Sequence, residues 1–166
     1  PEAGYAIVNQ VVHPREILVT GNQAALDSLT VINTGKVKID KLTNDVTIPL
    51  TLMLPEGIQL VNANEQMNVQ ISIEKIADKT LEISNIDYRG LSDKYIIETL
   101  PRNIRITVRG PEGLVNAAEQ SLKLYVDLSN AKEGTANYEI HADKVPGLEI
   151  LEITPLNIAL EIKNRE

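Results

Sequence analysis

The stretches "VHPREILVTG" and "LPRNIRITVRG" carry one pattern twice: a proline, an alternating β-rich run, then a closing glycine. Repetition of this kind constrains a chain strongly, because each copy meets the same local preferences and must fold as the same small unit. The match extends in order. Pro14, then Ile17, Val19 and Gly21, lead into "NQAALDSL", where Ala25 and Leu29 have helical spacing, and "VINTGKVKIDKL", "VTIPLTLMLPEGIQLV" and "MNVQISIE" follow. Pro101, then Ile104, Ile106, Val108 and Gly110, lead into "PEGLVNAAEQ", and "LKLYVDLSN", "GTANYEIHADKVPGLEIL" and "LNIALEIK" follow. Asp40 and Asp127 fall at the same place, as do Pro55 with Gly57 and Pro146 with Gly147. The run from Pro14 to Gly21 is two residues shorter than that from Pro101 to Gly110, which requires an insertion or a bulge.

Within each copy the strands declare themselves by alternation. In "MNVQISI", Met67, Val69, Ile71 and Ile73 point inward and Asn68, Gln70 and Ser72 outward. In "LNIALEI", Leu156, Ile158, Leu160 and Ile162 point inward, and Asn157, Ala159 and Glu161 outward. A period of two with one apolar face specifies a half-buried strand and fixes its register, since a one-residue slip would expose every apolar side chain. The short helices after Gly21 and Gly110 have about two turns each, so packing on a sheet must hold them. Asn22 suits an N-cap and Pro111 a first helical turn. Gly21 and Gly110 themselves are expected at positive φ, where glycine alone is unstrained.

The polar stretch "EKIADKT", residues 74–80, marks the expected boundary after a finished strand. It divides the chain into two small β-rich domains, 1–75 and 76–166, each with one short helix after its proline-led strand. The fold class is mainly β. Aromatics are only 3% of the 166 residues, five Tyr with no Phe or Trp, so the cores are built from Ile, Leu and Val.

Cysteine is absent, which excludes disulfides and thiolate chemistry. The net charge of −7 argues against a nucleic-acid or anionic-membrane surface. No apolar run approaches the roughly 20 residues of a membrane-spanning helix. The chain opens on Pro1 without an initiator Met and reads as a piece of something longer.

Chemistry is sparse. No phosphate-binding loop, dinucleotide fingerprint or zinc-protease motif is present. His13 and His141, the two imidazoles, are expected at strand ends, solvated or satisfied, and neither has a metal-ligand partner. Asp40 and Asp127 are expected to close turns, as in "DLSN". Glu149 and Glu152 of "LEILEI" have an odd separation, which places them on opposite faces of a strand and excludes paired-carboxylate chemistry. No catalytic residue, metal site or cofactor is expected. The richest polar row lies on "NIRITVRG": Asn103, Arg105, Thr107 and Arg109 share the solvent face. Arg105 and Arg109 can receive a partner's carboxylate or an anionic polymer, and Tyr88 with Arg89 joins them if that segment pairs alongside. The plainer reading is a solvated face that protects an edge from aggregation.

The repeated unit resembles the YbbR domain, a bacterial extracytoplasmic module. The residues that carry the resemblance are "VHPREILVTG", "KVKIDKL" and "LPEGIQL" with "VQISI" in the first copy. In the second they are "LEISNIDYRGL", "RNIRITVRGPEGL", "LYVDLSN" and "LEILEITPLNIALEI". The resemblance covers nearly the whole chain. It implies a membrane-anchored protein of a Gram-positive bacterium with several such modules outside the cell, regulating a neighbouring membrane diadenylate cyclase and its output of cyclic di-AMP. The chain departs in lacking the amino-terminal helix and in having two copies where several are usual. The first copy has no counterpart of "TLEISNIDYRG", so it is expected to begin truncated, with "AGYAIVNQVV" as its residual first strands.

A duplicated β design without a nucleophile–base pair reads as a non-catalytic interaction module whose partner is the cyclase or its complex. The alternative is a sensor for a cell-wall glycan or another anionic ligand, which would need an aromatic-lined groove that five tyrosines can scarcely furnish.

Overall fold

The computed structural model describes residues 1–98 and 103–165. Pro101, the proline leading the second copy, lies outside the described residues. The chain forms two compact units, Pro1–Lys75 and Ile76–Glu166. Residues 74–80, expected as a polar passage after a finished strand, instead lie inside a seventeen-residue strand, Met67–Ile83.

The first unit contains β1 (Tyr5–His13), β2 (Val19–Gly21), α1 (Gln23–Ser28), β3 (Asn33–Thr34), β4 (Val46–Leu50), β5 (Leu52–Met53) and β6 (Ile58–Leu60). It closes with the leading part of β7 (Met67–Ile83). There β7 is flanked by β1 and β4, both antiparallel, with Ile7 opposite Ile73 and Ile48 opposite Val69. Val69, Ile71 and Ile73 are buried, as their alternation requires. The Ile73 amide donates to Asp45 Oδ1 at 2.8 Å.

The second unit takes the trailing part of β7 and adds β8 (Ile86–Arg89), β9 (Tyr95–Ile97), β10 (Ile104–Pro111) and α2 (Glu112–Ser121). β11 (Leu124–Asp127), β12 (Gly134–Glu139), β13 (His141–Ala142), β14 (Glu149–Thr154) and β15 (Asn157–Asn164) complete it. β15 repeats the role of β7: β9 and β12 flank it, with Ile97 opposite Ile162 and Tyr138 opposite Ile158. Ile158, Leu160 and Ile162 are buried, but Leu156 precedes β15 and is 48% exposed, so the inward alternation begins one residue pair later than expected.

The β2–β6 and β10–β14 pairs match in register. Val19 faces Leu60 and Thr20 faces Gln59; Val108 faces Ile150 and Arg109 faces Glu149. Asn22 caps α1, its Oδ1 accepting from the Ala25 amide at 2.8 Å. Pro111 occupies the N-cap of α2 rather than its first turn, without a side-chain cap.

Gly21 and Gly110 are indispensable for a reason other than backbone sign. Neither has positive φ; those that do include Gly57 (+81°) and Gly147 (+83°) of the Pro-Gly turns. A Cβ on Gly21 would stand 2.2 Å from the Gly57 carbonyl oxygen, and one on Gly110 2.8 Å from that of Gly147. Each copy therefore presses the glycine before its helix against the glycine of its own turn, an approach only a missing side chain allows.

One expected strand is not formed. "KVKID" carries no ladder, although Val37 and Ile39 pack half-buried on Val69, Ile71 and Ile73. β3 pairs β5 there, as β11 pairs β13 in the second unit, with Thr34 opposite Leu52 and Leu124 opposite Ala142. β11 is a full strand because β8 lies parallel on its other edge, Ile86 to Arg89 against Leu124 to Asp127. Among the described strands none takes that place beside β3.

Leu160→Ala is expected to cost about 2–5 kcal/mol in urea unfolding, because Leu160 is wholly buried. Leu156→Ala should change stability by no more than about 0.5 kcal/mol. Gly110→Ala is expected to cost about 1–3 kcal/mol through its collision with the Gly147 carbonyl. Equal losses at positions 156 and 160 would contradict the inward face assigned to β15.

Candidate functional site

The solvent face of β10 is built by cross-strand pairing on both sides. Arg105, Thr107 and Arg109 alternate with the buried Ile104, Ile106 and Val108. On one side Arg109 faces Asp78, Thr107 faces Thr80 and Arg105 faces Glu82. Arg109 donates from Nε and NH2 to the two Asp78 oxygens at 2.7 and 2.8 Å, a planar two-pronged pair. The Thr107 and Thr80 hydroxyls are 3.0 Å apart, and Arg105 reaches Glu82 only at 3.8 Å. The Asp78 pair lowers that carboxyl's pKa through the guanidinium hydrogen bonds and raises that of Arg109.

On its other side β10 meets β14 through a bulge: Thr107 faces Glu152, while Val108 faces Ile150. The extra residue, Leu151, reverses the parity of the strand. Glu149 and Glu152 therefore share the face of Arg109 and Thr107, correcting the opposite-face expectation drawn from their odd spacing. Arg109 consequently stands between Asp78 and Glu149, Thr107 between Thr80 and Glu152, and Arg105 between Glu82 and Thr154.

Tyr88 and Arg89 do not join this row. β8 pairs β11 and not β10, and adjacent strand residues face opposite ways. Tyr88 packs half-buried on the core, where desolvation raises its hydroxyl pKa. Arg89 turns outward to Asp143, donating from NH1 and NH2 at 2.9 and 2.6 Å, with Asp87 at 3.6 Å. Its guanidinium carbon lies 4.0 Å over the Tyr125 ring, and Tyr125 lies 5.3 Å from His141, centroid to centroid. Asp143, Tyr125 and Asp78 were not singled out in the sequence. Arg89 and Asp143 are 54 positions apart, so only the pairing of β13, β11 and β8 side by side reveals them.

The remaining polar groups serve the fold. Asp127 Oδ1 accepts from the Ser129 amide at 2.9 Å and from the Ser129 hydroxyl, closing the "DLSN" turn and lowering the Asp127 pKa. Asp40 lies in a turn beside Lys41, which has positive φ. His13 ends β1, and His141 opens the two-residue β13. Among the described residues no three His, Asp or Glu side chains form a group that could hold a metal ion. No helix among them is long and apolar enough to cross a membrane.

A tandem mainly-β protein with paired surface charges is the class that these features define. The profile of the family described as YbbR-like protein matches residues 1–71 and 81–162, and the chain belongs to that family. It is 28% identical over 144 residues to the CdaA regulatory protein CdaR of Bacillus subtilis (strain 168), covering 84% of this chain and 30% of that protein. The chain thus spans about a third of that relative's length. Among solved structures it is similar to a YbbR-like domain from Listeria monocytogenes, at 20% identity over 54% of this chain and 96% of that one, TM-score 0.48. A YbbR family protein from Desulfitobacterium hafniense DCB-2 is similar at 29% identity, over 54% of this chain and 90% of that one, TM-score 0.46.

The Asp78 and Asp143 pairs give a pH dependence of known sign. Their folded pKa values lie below the unfolded value of about 3.9, so the stability they add is present above that pH and lost as pH falls through the folded values. The variant combining Asp78→Asn with Asp143→Asn should lose less stability than the parent chain between pH 5 and about 2, followed by urea midpoints at low salt. Parallel acid profiles would contradict the pairing.

Proposed function

We propose that the chain is part of a non-catalytic, extracytoplasmic regulatory module that acts on a membrane diadenylate cyclase and so sets the output of cyclic di-AMP. The observation that carries this reading is the similarity to the CdaA regulatory protein CdaR, which extends over 84% of the chain and therefore through both units. The surface supports it too. Arg89 and Arg109 are held by carboxylates of their own unit, which leaves their guanidiniums in fixed planes on its surface. In this reading the full-length protein is anchored in the membrane and faces its partner outside the cell.

Of Arg89, Arg105 and Arg109, Arg105 is the guanidinium most available to that partner. Its side chain is 65% exposed and 3.8 Å from its nearest carboxylate, against 2.7 Å for Arg109. We place the contact on Arg105 and Arg109, with Arg89 and Tyr88 shaping the neighbouring β8–β11 surface. A sensor for anionic glycans gains no support, because Asp78 and Glu149 border Arg109 and Glu82 lies beside Arg105.

The test is a charge reversal in the full-length protein. Arg105→Glu with Arg109→Glu should abolish co-purification with the cyclase from membranes and return cyclic di-AMP to the level seen without the regulator. Undiminished capture and regulation would remove this contact surface. Failure of the unaltered protein to change cyclic di-AMP at all would remove the function.

A further inference from the structure

The two arginines of β10 are held in different ways. Arg109 meets Asp78 side-on, with Nε and Nη2 donating to the two carboxylate oxygens at 2.7 and 2.8 Å. A guanidinium carries five N–H donors in one plane, and a side-on pair uses two of them. Both N–H groups of Nη1 and one of Nη2 are left. They make up the end-on edge, itself a fork that fits a second carboxylate. Glu149 faces Arg109 from β14 but forms no ion pair with it. Arg105 is not oriented in this way, since Glu82 stands 3.8 Å away and the arginine side chain is 65% exposed.

Thr107 stands between them, its hydroxyl 3.0 Å from that of Thr80, with Glu152 facing it from the other flank. The wet face of β10 thus presents a guanidinium, a hydroxyl and a second guanidinium. The two cations are four residues apart, about 13 Å along the strand. The flanking carboxylates tolerate a single acid at each arginine and repel a third one between them, which sets this face against a continuous polyanion. The matching positions of the first unit, Glu16, Leu18 and Thr20, hold no cation, so the arrangement belongs to the second unit.

We infer that β10 reads two discrete carboxylates of an extended acidic protein segment, and that Asp78 is a positioning residue that aims the end-on edge of Arg109 at one of them. The segment carries Asp or Glu at two positions four apart, with uncharged residues between. A polypeptide sequence can set two acids at one spacing with neutral groups between them, and a repeating anionic polymer does not. Asp78 weakens the attraction by its charge but strengthens it by fixing a plane that a free side chain would have to give up on binding. Placing that segment on the cyclase rests on the function proposed above; the receptor itself is tested without the cyclase.

Titration of the 166-residue chain with the peptide ADSTSDA, blocked at both ends, is followed through the arginine side-chain N–H signals by NMR. Saturable shifts are expected at Arg105 and Arg109, and a peptide with Asn for both Asp should bind at least about tenfold more weakly. Asp78→Ala should weaken the acidic peptide by about three- to tenfold, whereas charge alone predicts tighter binding once a neighbouring carboxylate is gone. Arg109→Lys should lose as much as Arg109→Ala, because a point charge cannot form the fork, while Arg105→Lys should keep most of the affinity. No saturable shift at about 10 mM peptide would overturn the inference. So would tighter binding by Asp78→Ala, or equal tolerance of lysine at positions 105 and 109. Peptide binding that obeys these rules in a protein whose full-length form captures no cyclase would sink the proposed function and leave the receptor standing.

Discussion

The interaction on which this structure depends is lateral: pairing along the strand edges closes the aliphatic cores from the sides. β10 is closed in this way, lying between β7 and β14, and its three inward side chains lose all contact with water. With no Phe or Trp and only five Tyr, rings supply little of the cover over the strands. Many small aliphatic contacts must supply the rest, and those require flanking strands. β10, flanked on both edges, runs for eight residues, whereas its counterpart β2, paired with β6, runs for three.

The same rule explains what the sequence disclosed and what it hid. Alternation at Val69, Ile71 and Ile73, and again at Ile158, Leu160 and Ile162, gave the two central strands, their inward faces and the repeat itself. "KVKID" has the same alternation but no strand, because alternation reports which face a residue prefers and not whether an edge has a partner. Gly21 and Gly110 were visible as special positions, but a glycine letter does not distinguish a left-handed backbone from a missing Cβ. Their reason lies in Gly57 and Gly147, more than thirty residues on. Leu151 shows the limit of parity reasoning: one bulged residue moved Glu149 onto the face of Glu152. The candidate site suffered most. Arg105 and Arg109 were correctly read as outward, yet their acidic borders, and the clamp of Asp143 on Arg89, depend on strand order that spacing does not encode.

These features bear on function through rigidity and charge. Bidentate pairs at Arg89 and Arg109 fix guanidinium planes that would otherwise search for anions, and Tyr125 backs one of them. Exposed pairs of this sort add little stability, so their effect is on which partner a surface accepts. A surface of alternating signs on a duplicated β scaffold suits the proposed protein contact better than capture of a polyanion.

Native-state hydrogen exchange on the intact chain tests the central claim most directly, since it reads each strand edge separately. The account predicts slow exchange throughout Ile104–Gly110 and exchange faster by on the order of a hundredfold at the open-edge amides of Val19–Gly21 and Asn33–Thr34. Equal protection in β2 and β10 would show that pairing along the strand edges does not govern protection, and the account would be wrong.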